Sequence, residues 1–378
     1  MVVYHHISFQ LAKAQSDVAL PLASLGAAGV DIFFVISGFI MWISTRSAEL
    51  TPGQFLHRRI IRIVPLYWAV TAFLFAVAYC LPNLLGATEF NPLHALLSLF
   101  FIPAQHPRID GEILPFFIQG WTLNYEMFFY AVFALAMAIN RAAMFAIITL
   151  ALGIVAAAGL VWTPENAILK FYASTLLFEF IGGMALGWLY LRAPRAPRPL
   201  AWLLIALGAA ALITTGLMGH AFGPNGAAPE RGLLWGLPSL AIVAGAVYLA
   251  NPGRSKGSGP LWALGESSYS LYLTHLITLP ALALLWRQSH LGFEGLGAVG
   301  YVIAALVVSA LAGWVSFACF ERPVTARLRG GGTNRRDQGR TQDHPDSRVG
   351  NIALPSREPS PMVRSLAGHP QRTHSSAG

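Results

Sequence analysis

Long apolar runs follow one another along almost the entire chain, at about 1–13, 27–45, 63–82, 121–139, 142–162, 170–191, 200–218, 232–250, 268–286 and 297–320. A hydrocarbon layer of about 30 Å takes about 20 helical residues to cross, and most of these runs are that long. The pattern predicts an all-α, polytopic integral membrane protein of about ten transmembrane helices. The first run is short: from Met1 it reaches only about 20 Å before Lys13. No basic lead precedes it and no cleavage-like site follows it, so it does not read as a signal peptide. The expectation is that further N-terminal sequence precedes Met1.

Residues 83–120 form a long connection whose apolar patch, Leu93 to Ile102, is too short to span and is bounded by Pro92 and Pro103. A re-entrant or interfacial helix on the outer side is predicted there. From about Gly330 the chain turns to Arg, Ser, Pro, Gly and Gln with few large apolar residues. The sequence thus divides into a transmembrane domain, 1–329, and a disordered basic cytoplasmic tail, 330–378.

Composition supplies the exclusions. With 55% hydrophobic and 11% charged residues, too little polar surface exists to cover a soluble core. Cys80 and Cys319 both lie in apolar runs and read as small buried hydrophobes. No zinc-ligand spacing, Walker-type phosphate loop or dinucleotide glycine fingerprint occurs, and no metal is expected. The net charge of +8 would suit nucleic acid, but its arginines occupy short loops and the tail. Arg46, Arg58, Arg59 and Arg62 lie between the second and third spans, Arg141 after the fourth, and Arg192, Arg195 and Arg198 after the sixth. Arg254 and Lys256 follow the eighth, and Arg322, Arg327 and Arg329 the tenth. Every second loop is basic. The positive-inside rule then puts both termini in the cytoplasm of a bacterial inner membrane, with lipids rather than nucleic acid as surroundings.

Ionisable side chains inside spans are costly, so each is a candidate. His5 and His6 sit in the first run; a histidine there either relays a proton or hydrogen-bonds a neighbouring helix. In "FLHRRIIRIVPLYW", which opens the third span, Arg58 and Arg62 are four apart and share one helix face, a geometry suited to phosphates. Topogenic charge is the plainer reading. Glu126, in "GWTLNYEMFFY", must be paired, protonated or functional. Asp31 follows the same logic, although its place near a helix start allows capping; Ser37 and Gly38 suit close helix packing. In "LGESSYSLYLTHLI", His275 lies about one and a half turns inside its span, with Tyr269 and Tyr272 near it by helical spacing.

At these segments the sequence resembles the membrane acyltransferase-3 family, in particular its exopolysaccharide O-acetyltransferase branch. The segments are "VVYHH", "GAAGVDIFFVISGFIM", "HRRIIRIVPLYW", "WTLNYEMFFYAVFA", "LGESSYSLYLTHL" and "FERP" at Phe320–Pro323, in that order across residues 1–323. The resemblance implies transfer of an acyl group, usually acetyl from cytoplasmic acetyl-CoA, to a sugar hydroxyl of an exopolysaccharide, lipopolysaccharide or lipid-linked glycan. It makes His5 the first-helix histidine, with His6 its neighbour, and assigns Glu126 and His275 to the catalytic group. It makes Arg58 and Arg62 the pair that holds coenzyme A. The family's basic residue about eleven positions before that histidine would fall before Met1.

The mechanism so implied has the arginine pair hold the donor's phosphates at the cytoplasmic mouth while His5, oriented by Glu126, deprotonates the acceptor hydroxyl. Direct transfer and a covalent acyl-histidine relay both remain open. Two other classes fit polar residues in spans: a transporter or flippase for a lipid-linked sugar, and a non-catalytic subunit of a polysaccharide assembly complex. Against the first stands the lack of inverted repeats and of paired broken spans.

Overall fold

The computed structural model describes residues 1–330 apart from 15, 17, 47–49, 83–84, 86–87, 224–227 and 251–258. The tail from 331 on, and with it Arg254 and Lys256 of the eighth loop, lie outside the described residues. The helices are α1 (Val2–Lys13), α2 (Gly29–Arg46), α3 (Pro52–Cys80), α4 (Pro92–Leu99), α5 (Trp121–Ile139), α6 (Met144–Val161) and α7 (Ala167–Tyr172). They continue with α8 (Leu176–Arg192), α9 (Arg198–Leu217), α10 (Leu237–Leu249), α11 (Pro260–Glu266), α12 (Ser268–Gln288), α13 (Gly295–Ser316) and α14 (Arg322–Gly330). Among the described residues the one β feature is an isolated bridge between Gln105 and Ile113.

Each of the ten expected spans corresponds to a helix, and eight helical stretches are long and apolar enough to cross a membrane by length and composition. The two shorter ones are α8, with 17 residues, and α1, with 12. The run at 170–191 is shortened because it is divided. Asn166 caps α7 by accepting from the N–H groups of Ile168 and Leu169, and that helix ends before α8 begins.

The third span starts eleven residues earlier than its apolar pattern indicates, and the cause is local. Thr51 and Gln54 form a capping box, with Pro52 at the first helical position. Polar residues do not break a helix; they only end its apolar stretch. Arg58, Arg59 and Arg62 therefore lie on the first third of a 29-residue helix rather than at its opening. Pro65 leaves the Ile61 carbonyl without its helical donor, and the Thr325 hydroxyl of α14 donates to it at 3.4 Å.

The expected short helix of the 83–120 connection is α4, eight residues long and capped by the Asn91 side chain. It docks on α3: the Tyr67 hydroxyl meets Ser98, and the Trp68 indole donates to the Leu99 carbonyl at 2.9 Å.

Lipid tails are as apolar as leucine, so these helices associate by close packing rather than by hydrophobic exclusion. Between α2 and α8 the approach is glycine-dependent. A Cβ on Gly38 would lie 2.1 Å from the Phe180 carbonyl oxygen, and one on Gly183 2.0 Å from that of Val35. Behind this contact an aromatic core of Phe34, Tyr125, Phe129 and Phe180 is fully buried, with Phe129 stacked on Phe180 at 3.9 Å. Leu150 and Ile154 of α6, and Leu203 and Leu207 of α9, repeat one turn apart on the exposed, lipid-facing side.

Candidate active site

Three of the resembling segments meet where α1 lies against α12. The backbone turn 23–28 follows α1 closely enough that a Cβ on Gly26 would lie 2.6 Å from that of His5. That approach brings the Ala23 carbonyl 2.8 Å from His5 Nδ1. A carbonyl only accepts, so Nδ1 carries the hydrogen and, in the neutral ring, Nε2 is left as the basic nitrogen. His275, fully buried on α12, is held in the same way: its Nδ1 is 3.1 Å from the Leu271 carbonyl one turn back. Among the described residues its Nε2 has no partner. His6 stands between the two, with ring centroids 5.4 Å from His5 and 5.1 Å from His275.

The second group is built on α2, α3 and α5. Glu126, 2% exposed, accepts a hydrogen bond from the Ser37 hydroxyl of α2 and has Tyr130 one turn along its own helix. The positive charges that reach its carboxyl are Arg59 and Arg62. Arg59 is half-buried, donates to Ser44 Oγ at 2.7 Å and lies over the rings of Phe55 and Tyr130. Arg62 also acts on Glu321 of the closing "FERP" segment, whose carboxylate accepts from Ser270 at 2.6 Å. Arg58 lies exposed.

From the histidines a line of contacts runs toward the second group as far as Thr122. The Tyr272 ring is 5.9 Å from His275, and its hydroxyl meets that of Thr122 at 2.9 Å and donates to the Gln119 carbonyl at 3.1 Å. Thr122 stands one turn before Glu126 on the same helix. Polar side chains thus run from the histidines to Thr122, on the helix that carries Glu126.

The structure therefore brings His5, His6 and His275 together at one end, and Glu126 with Arg62 at the other. It orients His5 through Ala23 rather than through Glu126. On α3 it turns Arg59 inward where the spacing argument had selected Arg58, because the buried side of that helix is marked by Phe55, Ile63, Leu66 and Tyr67. Asp31 is not a cap. Both its oxygens accept from Arg231 of the α9–α10 connection, at 3.0 and 2.9 Å, in an ion pair 0% and 1% exposed. Sequence reading foresaw a buried partner for such an acid; a separation of 200 residues concealed which one.

Comparison with known proteins agrees with this chemistry. The family model described as an acyltransferase domain matches residues 1–318. The exopolysaccharide production protein ExoZ of Rhizobium meliloti (strain 1021) is 36% identical over 310 residues, 81% of this chain and 92% of that protein. BcsY of Komagataeibacter xylinus, which carries the name membrane-bound transacylase, is 28% identical over 331 residues, 81% of this chain and 80% of its own. No solved structure matches. With its motif segments converging on paired histidines and arginines inside a multi-pass bundle, the chain belongs to the acyltransferase-3 family of membrane acyltransferases.

Proposed function

We propose that this enzyme transfers an acetyl group from cytoplasmic acetyl-CoA to a sugar hydroxyl of an exopolysaccharide or its lipid-linked precursor, working across the bacterial inner membrane with both termini in the cytoplasm. The observation that carries the reading is the histidine cluster on α1 and α12 and the Glu126–arginine cluster on α5 and α3, with Tyr272 and Thr122 leading from the first toward the second, because a donor from one compartment must meet an alcohol from the other. The name of the ExoZ relative supports the exopolysaccharide assignment. The basic ends of α2, α8 and α14, the arginines in the first half of α3 and the one opening α9 support the orientation.

Arg59 and Arg62 clamp the phosphates of the coenzyme, with Arg58 at the rim of the same mouth. Glu126 keeps Arg59 and Arg62 in register. The Nε2 atom of His5 takes the proton from the acceptor hydroxyl as the oxygen attacks the thioester carbonyl; the carbon–sulfur bond breaks, and the coenzyme thiolate takes that proton back. His275, with its own Nε2 free, holds the acceptor through His6 or directly.

Acetyl-CoA binding by the purified protein tests the donor, and mass spectrometry of surface glycans with and without the gene tests the acceptor. A flippase would move lipid-linked sugar and bind no acetyl-CoA. Glycans carrying the same acetyl groups with and without the gene would sink the reading.

A further inference from the structure

Away from the line of groups assigned above, α8 and the turn leading into α10 enclose a cavity of about 610 Å³. Its walls include Leu160, Phe178, Leu233 and Leu237, all well exposed, so in a bilayer the mouth opens to hydrocarbon. Its floor is different. Glu179 and Thr175 line it at 4% and 5% exposure. Among the described residues no donor reaches either oxygen of Glu179, and the Thr175 hydroxyl has no partner. Asp31 lies against Glu179 and, as the ionised partner of Arg231, has no donor to give; it can only accept from a protonated Glu179, which still leaves the second Glu179 oxygen without a donor. The carboxyl has little room to turn elsewhere, because a Cβ on Gly236 would lie 2.9 Å from its Oε1. That glycine closes a π-helical turn, Gly232–Gly236, whose extra residue widens the helix where it borders the cavity.

A buried carboxyl without donors is costly unless a ligand supplies them. The ligand must bring hydroxyls. It must also be uncharged at its head, because among the described residues the lining holds no Lys or Arg to meet a phosphate, Glu230 lines it, and the neighbouring Arg231 is already closed on Asp31. It must carry a hydrocarbon chain to lie along the four apolar side chains. The volume suits a small glycan head with part of a chain. We propose that this cavity binds a neutral glycolipid, its sugar hydroxyls donating to Glu179 and meeting Thr175, and that it delivers the acceptor from the lipid phase. The proposal rests on the acceptor assignment above. Asp31, which lies against Glu179, precedes Ser37, the partner of Glu126, by six residues of α2, or about 9 Å along the helix.

The test uses the full-length protein in phosphatidylcholine nanodiscs, with decyl glucoside bearing a photoreactive diazirine on its chain as probe. Labelling is expected on peptides of α8 and the start of α10. Leu237→Trp, which blocks the mouth without touching a polar group, lowers it about tenfold by exclusion. Thr175→Val lowers it about fivefold, the worth of one ordinary hydrogen bond. A decyl sulfate probe with the same diazirine shows no such preference. Label spread evenly over all lipid-facing helices, or selective labelling by the sulfate, overturns the proposal. Acetyl-CoA binding on the same samples separates the two claims: binding retained without selective labelling defeats the cavity assignment alone, and selective labelling without binding defeats the acetyl-transfer reading alone.

Discussion

Two charged clusters lie inside this bundle, and they are finished differently. Asp31 and Arg231 close on each other: two charge-assisted bonds join them, and the guanidinium spends a third donor on the Gly223 carbonyl at 2.7 Å. The cluster around Glu126 stays open. Arg62 is shared between two carboxyls while lying exposed, and His275 at the far end of the line keeps a ring nitrogen without a partner. A network whose valences are all used holds helices together; one with free ends can bind and exchange protons.

If that division is right, breaking the closed cluster removes the protein and breaking the open one removes only its chemistry. Asp31→Ala leaves Arg231 buried without a counter-charge, a loss of about 3–5 kcal/mol that should abolish accumulation in the membrane. Asp31→Leu with Arg231→Met should restore much of the level, as read by immunoblot and detergent thermal shift; restored level without restored folding cooperativity would count against a purely structural pair. His5→Ala should leave the protein at its normal level while glycan acetylation falls by about 10²–10⁴-fold. Near-normal product from that variant refutes the assignment. The Arg59→Ala/Arg62→Ala double variant should weaken acetyl-CoA binding by about 10- to 100-fold, against less than about threefold for Arg58→Ala. Equal losses from Arg58 and Arg59 would show that the exposed arginine is part of the clamp. Smallest is Ser37→Ala, which removes one hydrogen bond to Glu126 and should weaken acetyl-CoA binding by about two- to fivefold with the protein at its normal level.

The apolar runs carried the fold because bilayer thickness sets a length that can be counted along the chain. What they could not mark was where a polar stretch continues a helix, and so the capping box at Thr51 escaped a hydropathy reading of the third span. The site was legible as residue types: His5, Glu126 and His275 were singled out because ionisable groups in spans are few. Their partners were not. Choosing Arg59 over Arg58 needs the buried face of α3, which only the neighbouring helices define. The Glu126–Ser37 contact joins residues 89 apart, and the Tyr272–Thr122 contact residues 150 apart, with no local signal for either.

The unusual reach of α3 has a physiological corollary. Its 29 residues extend about 43 Å, nearly half as much again as the hydrocarbon slab of about 30 Å. The arginine row therefore stands in the headgroup zone, where its depth follows lipid chain length: thicker membranes draw it toward the acyl region and thinner ones lift it toward water. Under the proposed function, donor capture should accordingly vary with growth temperature and fatty-acid composition, which would couple acyl transfer to the state of the membrane itself.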